Sequence, residues 1–470
     1  MSDAQGDASA RAPRSSFLLC ALLYLALAAG VLGWQCHGWG ALESPAMLGI
    51  ELHAQDAAHP WTLGELLPYR YRPAFRALVL TAYRLGEPGL ERFYRVFVVA
   101  SALSLWLAAL ALHALLRALG APTREALLGT GLFFLCFPVL FSHDMPIHTR
   151  EDLLGYAWIA LTLLALVRDR PLLVIALGVT GVAIRETCLL GVLPFAFVSR
   201  RPLGWKVAAY ALPGAAWLAL RALQNPGGEA YDYLGVSTAP TREFPLEALL
   251  YVFAAFGWLW VAAALRLVER WPARPRWSSW AGAAAGGADT AGERAGPRAW
   301  LRAFVAGPPA GVPPRELLLD PRVVLMAFAA MACTGWTMGM PREARITFIL
   351  APFVILLALE ALRADWVRAA LGRRAPWLAG AAVLFAYGLG LLWLQEDLTR
   401  LVPLRRAVGE SFNPGISPVL EVEGAQLRLA FASPLNGLHV ALNLAVSLWL
   451  LVARLGAAPG SEPGPTAPPS

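Results

Sequence analysis

Apolar runs of roughly 17–22 residues recur from one end of this chain to the other, each able to cross a hydrocarbon core about 30 Å thick. In lipid the backbone must satisfy its own hydrogen bonds, which leaves helices as the way to cross. The expected fold class is therefore all-α: a polytopic helical membrane protein with about 12 transmembrane helices. Composition agrees, with 57% hydrophobic and only 15% charged residues, where soluble domains carry about a quarter charged. A soluble globular protein is excluded.

The candidate spans are 16–34, 93–117, 126–142, 153–167, 172–184, 187–199, 206–222, 247–267, 321–338, 345–362, 377–394 and 437–455. With the N-terminus inside, the loops holding Arg117 and Arg124, Arg168 and Arg170, and Arg200, Arg201 and Lys206 all fall on the cytoplasmic side, as the excess of basic residues in cytoplasmic loops predicts. Both termini are then cytoplasmic. The expected organisation is a cytoplasmic tail (1–15), an N-terminal bundle (16–267) with a long outer loop at 35–92, a cytoplasmic linker (268–320), a C-terminal bundle (321–455) and a disordered tail (456–470). The linker is rich in Ala, Gly, Pro, Trp and Arg without periodicity.

A net charge of +7 does not imply nucleic acid, because much of it sits in short loops between spans; Lys206 is the sole lysine. The five cysteines show no CxxC spacing, so neither a disulfide framework nor a zinc site is indicated. Residues 172–199 are one apolar run broken by Arg185-Glu186-Thr187. A straight helix would bury Arg185 mid-bilayer at a cost of about 2.5–3.5 kcal/mol or more, so two shorter helices meeting at an outer bend are expected.

The polar chemistry gathers on the outer face. Acids lie in the first loop (Glu51, Asp56, Glu65) and before the fourth span (Asp144, Glu151, Asp152). Arginines face them: Arg70, Arg72, Arg76, Arg150, Arg185, Arg342 and Arg345. A carboxylate partly screened from water acts as a general base toward a hydroxyl, and a guanidinium grips a leaving phosphate through two parallel hydrogen bonds. Residues 74–85 place Phe75, Leu78, Val79, Ala82 and Leu85 at helical spacing, the pattern of a helix lying in the outer interface or packing over the bundle.

Several of these features resemble the GT-C membrane glycosyltransferases, which take a sugar from a polyprenyl-phosphate carrier on the non-cytoplasmic face. The resemblance spans roughly residues 16–362. It rests on the acidic first outer loop, Asp152 at the start of the fourth span, the stretch Leu177-Gly-Val-Thr-Gly-Val-Ala-Ile-Arg-Glu-Thr-Cys-Leu-Leu-Gly-Val-Leu-Pro194, Tyr71-Arg-Pro73, and Arg342-Glu-Ala-Arg345. It implies a hexosyltransferase of the bacterial inner membrane. Asp56 would be the acceptor-activating base, with Glu51 the alternative. Asp152 would be a second acid, and Arg185, Arg342, Arg345 and Arg72 the contacts to the donor phosphate, supported by Glu186, Asp144 and His148. The family often shows two acids close together in the first loop, whereas here Asp56 stands five residues from Glu51; this leaves the base and any metal dependence open.

The implied partners are a polyprenyl-phosphate-linked sugar, a lipid, glycan or protein acceptor, and membrane lipids, with no nucleic acid. No cofactor is indicated: His143, Asp144, His148 and Asp152 include plausible metal ligands, but Pro146 interrupts them and no zinc-like spacing is present. Two rival readings share the layout. A transporter or flippase for lipid-linked glycans fits the span count and the intramembrane charges, although spans 1–222 and 321–455 show no evident internal repeat. A catalytically inactive assembly subunit fits the isolated Asp56.

Overall fold

The structure, a computed structural model, describes residues 14–42, 72–87, 90–140, 151–224, 249, 252–271, 308, 311–333, 347–367, 419–422, 425–428 and 434–456. These are mostly helical. The helices of the front half are α1 (Arg14–Leu42), α2 (Pro73–Arg84), α3 (Leu90–Ala118), α4 (Thr123–Leu135), the short α5 (Phe137–Leu140), α6 (Glu151–Val167), α7 (Pro171–Ile184), the short α8 (Phe195–Val198) and α9 (Leu203–Gln224). Further along come α10 (Trp258–Arg270), α11 (Pro314–Leu318), α12 (Pro321–Met331), α13 (Ala351–Leu362) and α14 (Pro434–Gly456). One small departure from an all-α chain is a hairpin, β1 (Val419–Val422) paired antiparallel with β2 (Ala425–Arg428), in which Val419 faces Arg428.

Local chemistry sets the helix starts. Proline occupies the first turn of α2, α7, α11, α12 and α13, where its missing N–H costs nothing. Asp320 caps α12, its carboxylate accepting from the Arg322 amide at 2.9 Å. The turn from α6 to α7 closes on Asp169 at φ 49°, a left-handed conformation that a short polar side chain tolerates. Arg201 holds that residue with two hydrogen bonds, of 3.1 and 2.7 Å, to its carboxylate. These bonds raise the Arg201 guanidinium's pKa above its ordinary value.

Helix α3 is the axis of the front half, with α1, α2, α4 and α6 against it. Helix α13 is the core of the whole, for every residue from Ala351 to Ala361 is buried, as befits a helix that is apolar all round. Phe133, Tyr156, Phe256 and Phe348 meet there with ring centroids 5.1–6.5 Å apart. The periphery is apolar too. While α1 buries Cys20, Tyr24, Ala28 and Leu32, it exposes Phe17, Leu18, Leu19, Leu22 and Leu23, with Leu19 70% exposed. Helix α14 does likewise with Leu448, Val452 and Leu455. Faces of this kind mark a surface that meets a membrane or another protein.

Among the described residues one helix, Arg95–Ala118, is by itself long and apolar enough to cross a membrane, and the other apolar helices run to 10–17 residues. The twelve runs expected from hydropathy are thus not twelve unbroken helices. The run at 187–199 forms a 3-10 turn (Glu186–Gly191), further turns and α8, because Gly191 and Pro194 interrupt a continuous helix. The run at 377–394 lies outside the described residues. The expected break at Arg185 is present: α7 ends at Ile184 and Arg185 is extended, with φ −164° and ψ 138°.

The glycines around this break permit close packing. A Cβ on Gly181 would lie 2.8 Å from the Cys188 Cβ, and one on Gly191 would lie 2.8 Å from the Thr162 Cβ and 3.2 Å from the Ile159 carbonyl oxygen. Gly191→Leu is accordingly expected to overpack the seam with α6 and to cost about 1–3 kcal/mol, read as a lower melting temperature in detergent.

Candidate functional site

Two buried ion pairs converge at the break. Arg72, immediately before the Pro73 start of α2, reaches 114 residues along the chain to Glu186. Its Nε donates to Glu186 Oε2 at 3.1 Å and its Nη2 to Oε1 at 2.8 Å, the bidentate fork that a planar guanidinium makes with a carboxylate. Beside it, Arg185 pairs with Asp152. Asp152 is 2% exposed, Arg185 4% and Arg72 8%, so these charges act in a medium that screens them far less than water does.

Helix ends explain why the charges sit there. Asp152 stands in the first turn of α6, where the helix dipole favours an anion, and Arg185 caps the C-terminus of α7, where it favours a cation. Helices α6 and α7 form a hairpin closed by the turn at Arg168–Arg170. The start of one and the end of the other therefore lie at the same end of the bundle. Apolar contacts bring α2 to that end as well: its Phe75, Val79 and Leu80 pack with Phe97 of α3, Leu154 of α6, and Ile184 and Cys188 on either side of the break. The Phe75 and Phe97 rings meet edge to face, with centroids 5.5 Å apart.

A second charged cluster closes the opposite end. Glu360, 6% exposed near the end of α13, accepts from Arg266 Nε (3.3 Å), Arg270 Nε and Nη2 (2.8 and 2.9 Å) and Arg315 Nε (2.9 Å). Glu269 binds Arg266, Arg454 and the Trp366 indole at 2.8–3.0 Å. Arg315 also donates to the Leu119 carbonyl, just past the end of α3, and Arg363 pairs with Glu125 of α4. Burial alone would lower the Arg270 guanidinium's pKa, but its bonds to Glu360 and Glu316 outweigh that and raise it. The stretch read from sequence as a linker is thus ordered at both described ends: α10 runs to Arg270, and residues 311–320 pack Leu317, Leu318 and Leu319 into the core. Glu360→Gln leaves three arginines around a neutral amide. It is expected to destabilise the protein by about 3–5 kcal/mol, seen as a fall in melting temperature.

Of the residues singled out from sequence, Arg72, Asp152, Arg185 and Glu186 come together. Glu51, Asp56, Glu65, Arg70, Asp144, His148, Arg150, Arg342 and Arg345 lie outside the described residues, as does His143, and Arg76 and Glu151 are described only in their backbone. No group of three or more His, Cys, Asp or Glu side chains suited to a metal occurs among the described residues. Sequence reasoning missed the Glu360 cluster and the buried pair of Tyr24 and His113, whose hydroxyl and Nδ1 lie 2.7 Å apart. A signal was present in each case: a lone acid or lone histidine inside a long apolar run.

Compared with protein-family models, curated proteins and solved structures, the chain matches none.

Proposed function

We propose that this chain is a polytopic membrane glycosyltransferase of the GT-C type, moving a sugar from a polyprenyl-phosphate-linked donor to an acceptor on the non-cytoplasmic face. The observation that carries the reading is the buried meeting of Arg72, Arg185, Asp152 and Glu186, drawn from three distant parts of the chain to one end of the bundle. Two guanidiniums side by side in a weakly screened site suit a phosphate leaving group, whose negative charge grows as the glycosidic bond breaks. The two carboxylates hold them in place while the site is empty of donor. The apolar faces of α1 and α14, and the charged clusters at opposite ends of α3, support a membrane setting; the count of about twelve crossings rests on the apolar runs of the sequence.

In this reaction the acceptor hydroxyl attacks the anomeric carbon as its proton passes to a carboxylate of the first outer loop, Asp56 or else Glu51. The bond from the anomeric carbon to the phosphate oxygen breaks, and its electron pair leaves with the polyprenyl phosphate toward Arg185 and Arg72, with Arg342 and Arg345 as further contacts. A single displacement inverts the anomeric centre. Asp152, tied to Arg185, serves here by positioning that arginine. The reaction needs no redox partner.

The test offers a panel of polyprenyl-phosphate sugars to purified protein and follows release of free polyprenyl phosphate. Release by the wild type, lost in Asp56→Asn with donor binding kept, is the expected result. Turnover that survives in Asp56→Asn moves the base to Glu51. A wild type that binds and consumes no donor of the panel contradicts the reading.

A further inference from the structure

A threonine or serine inside an apolar helix can settle its hydroxyl on the carbonyl four residues back. Thr81, Ser104, Thr130, Thr162, Thr180 and Ser447 all do so, at 2.7–2.8 Å. Thr187 does not. It is 7% exposed, and its hydroxyl has no hydrogen-bond partner among the described residues. The backbone explains the exception. Four residues back lies Ala183, in the last turn of α7, and the extended Arg185 turns the chain out of that helix before Thr187 is reached. The break that presents the Arg185 guanidinium thus also strips Thr187 of its ordinary acceptor. Ser101 is likewise buried and unpartnered, but it stands within α3, where rotation of its side chain brings it to the Phe97 carbonyl. Thr187 has no helical carbonyl to turn to. A buried donor left without a partner costs stability and calls for an explanation.

We infer that the Thr187 hydroxyl is a further donor to the phosphate of the lipid-linked sugar, beside Arg72 and Arg185. The inference rests on the donor reading above and adds a residue to that site. Position supports it. Thr187 follows Arg185 and Glu186 directly, at the start of the 3-10 segment Glu186–Gly191. That segment repeats every three residues, so Thr187 shares a face with Leu190, which is buried in the main core. The hydroxyl therefore belongs to the bundle side of the break, whereas Glu186 reaches across to Arg72. Charge supports it too. The two guanidiniums are matched by two carboxylates, Glu186 and Asp152, so these four charges sum to zero. A neutral hydroxyl with an unused proton is a donor that an arriving phosphate engages without displacing a carboxylate. Its hydrogen bond to an ionised oxygen is roughly twice as strong as one between neutral groups.

The experiment uses the full chain in lipid nanodiscs, with polyprenyl phosphate and the uncharged polyprenol as probes. Thr187→Val keeps the shape of the side chain and removes the hydroxyl; Thr187→Ser keeps the hydroxyl. In Thr187→Val, affinity for polyprenyl phosphate is expected to fall at least about tenfold while polyprenol binding stays as in the wild type. The melting temperature without ligand is expected to equal or exceed the wild-type value, because a donor that lacked a partner has left the interior. Thr187→Ser is expected to bind polyprenyl phosphate within about fivefold of wild type, the remainder being the lost methyl. A hydroxyl with only a structural role gives the reverse pattern: Thr187→Val lowers the melting temperature and leaves phosphate affinity alone. That pattern, or equal losses for the two probes, overturns the inference and leaves the glycosyl-transfer reading standing. Affinities as expected, with no release of polyprenyl phosphate from any sugar donor, keep Thr187 as a phosphate contact and sink the glycosyl-transfer reading alone.

Discussion

Replacing Arg185 with alanine is expected to cut turnover of a polyprenyl-phosphate sugar by at least about 100-fold, the loss seen when a preorganised donor to a developing anion is removed. The side chain is 4% exposed and paired with Asp152, so the change also strands a buried carboxylate, at about 3–5 kcal/mol. Both effects follow from one structural fact: α7 stops at Ile184, and the residue that turns the chain carries the charge. Arg185→Lys is expected to recover part of the stability and little of the rate. An ammonium supplies the charge but not the planar fork that grips carboxylate and phosphate through two bonds at once. A kcat that falls while KM for the donor rises would place Arg185 on the phosphate both in the bound donor and as it leaves.

The second large effect belongs to the pair of Arg72 and Glu186. Its two hydrogen bonds, at 3.1 and 2.8 Å, tie the start of α2 to the break after α7. Glu186→Ala and Arg72→Ala should each loosen α2 from the bundle, read as faster amide exchange across Pro73–Arg84. Their energies should be strongly non-additive, with a coupling of about 1–3 kcal/mol in a double-mutant cycle. The exchanged pair Arg72→Glu with Glu186→Arg restores the bridge and, with it, the protection of α2. Catalysis should not return, because the guanidinium then stands on the wrong element. Equal exchange in all four proteins would show that the apolar contacts of Phe75, Val79 and Leu80 suffice to dock α2.

How much of this was legible beforehand differs by element. Hydropathy marked the apolar runs, and charge marked the break at Arg185, because a buried arginine inside an unbroken helix is too costly to ignore. That the return segment is a 3-10 turn and a short helix was less visible, since Gly191 and Pro194 sit inside a run whose composition alone reads as one span. Arg72, Asp152, Arg185 and Glu186 were each nameable as chemistry-bearing residues. Their pairing was not, for which cation meets which anion depends on how α2 lies over α3 and α6, a tertiary property without periodicity. The cluster on Glu360 escaped for the opposite reason. Its arginines look like the basic flanks of cytoplasmic loops, and their convergence on one acid, with Arg315 reaching from the far end of the central stretch, exists only in the folded chain.

The central claim is that the paired charges at the α7 break form the seat of a lipid-linked phosphate. Its most direct test is donor affinity in the double variant Asp152→Asn with Arg185→Gln, which keeps both side chains polar, removes the pair and leaves no buried charge uncompensated. Binding of a polyprenyl-phosphate sugar to the folded protein would be compared with wild type by equilibrium titration in nanodiscs, alongside thermal melting. A melting temperature near wild type with affinity weakened at least about tenfold, or about 1.4 kcal/mol, is the predicted result. Unchanged affinity at unchanged stability would show that the pair is scaffolding alone, and that the phosphate is held elsewhere.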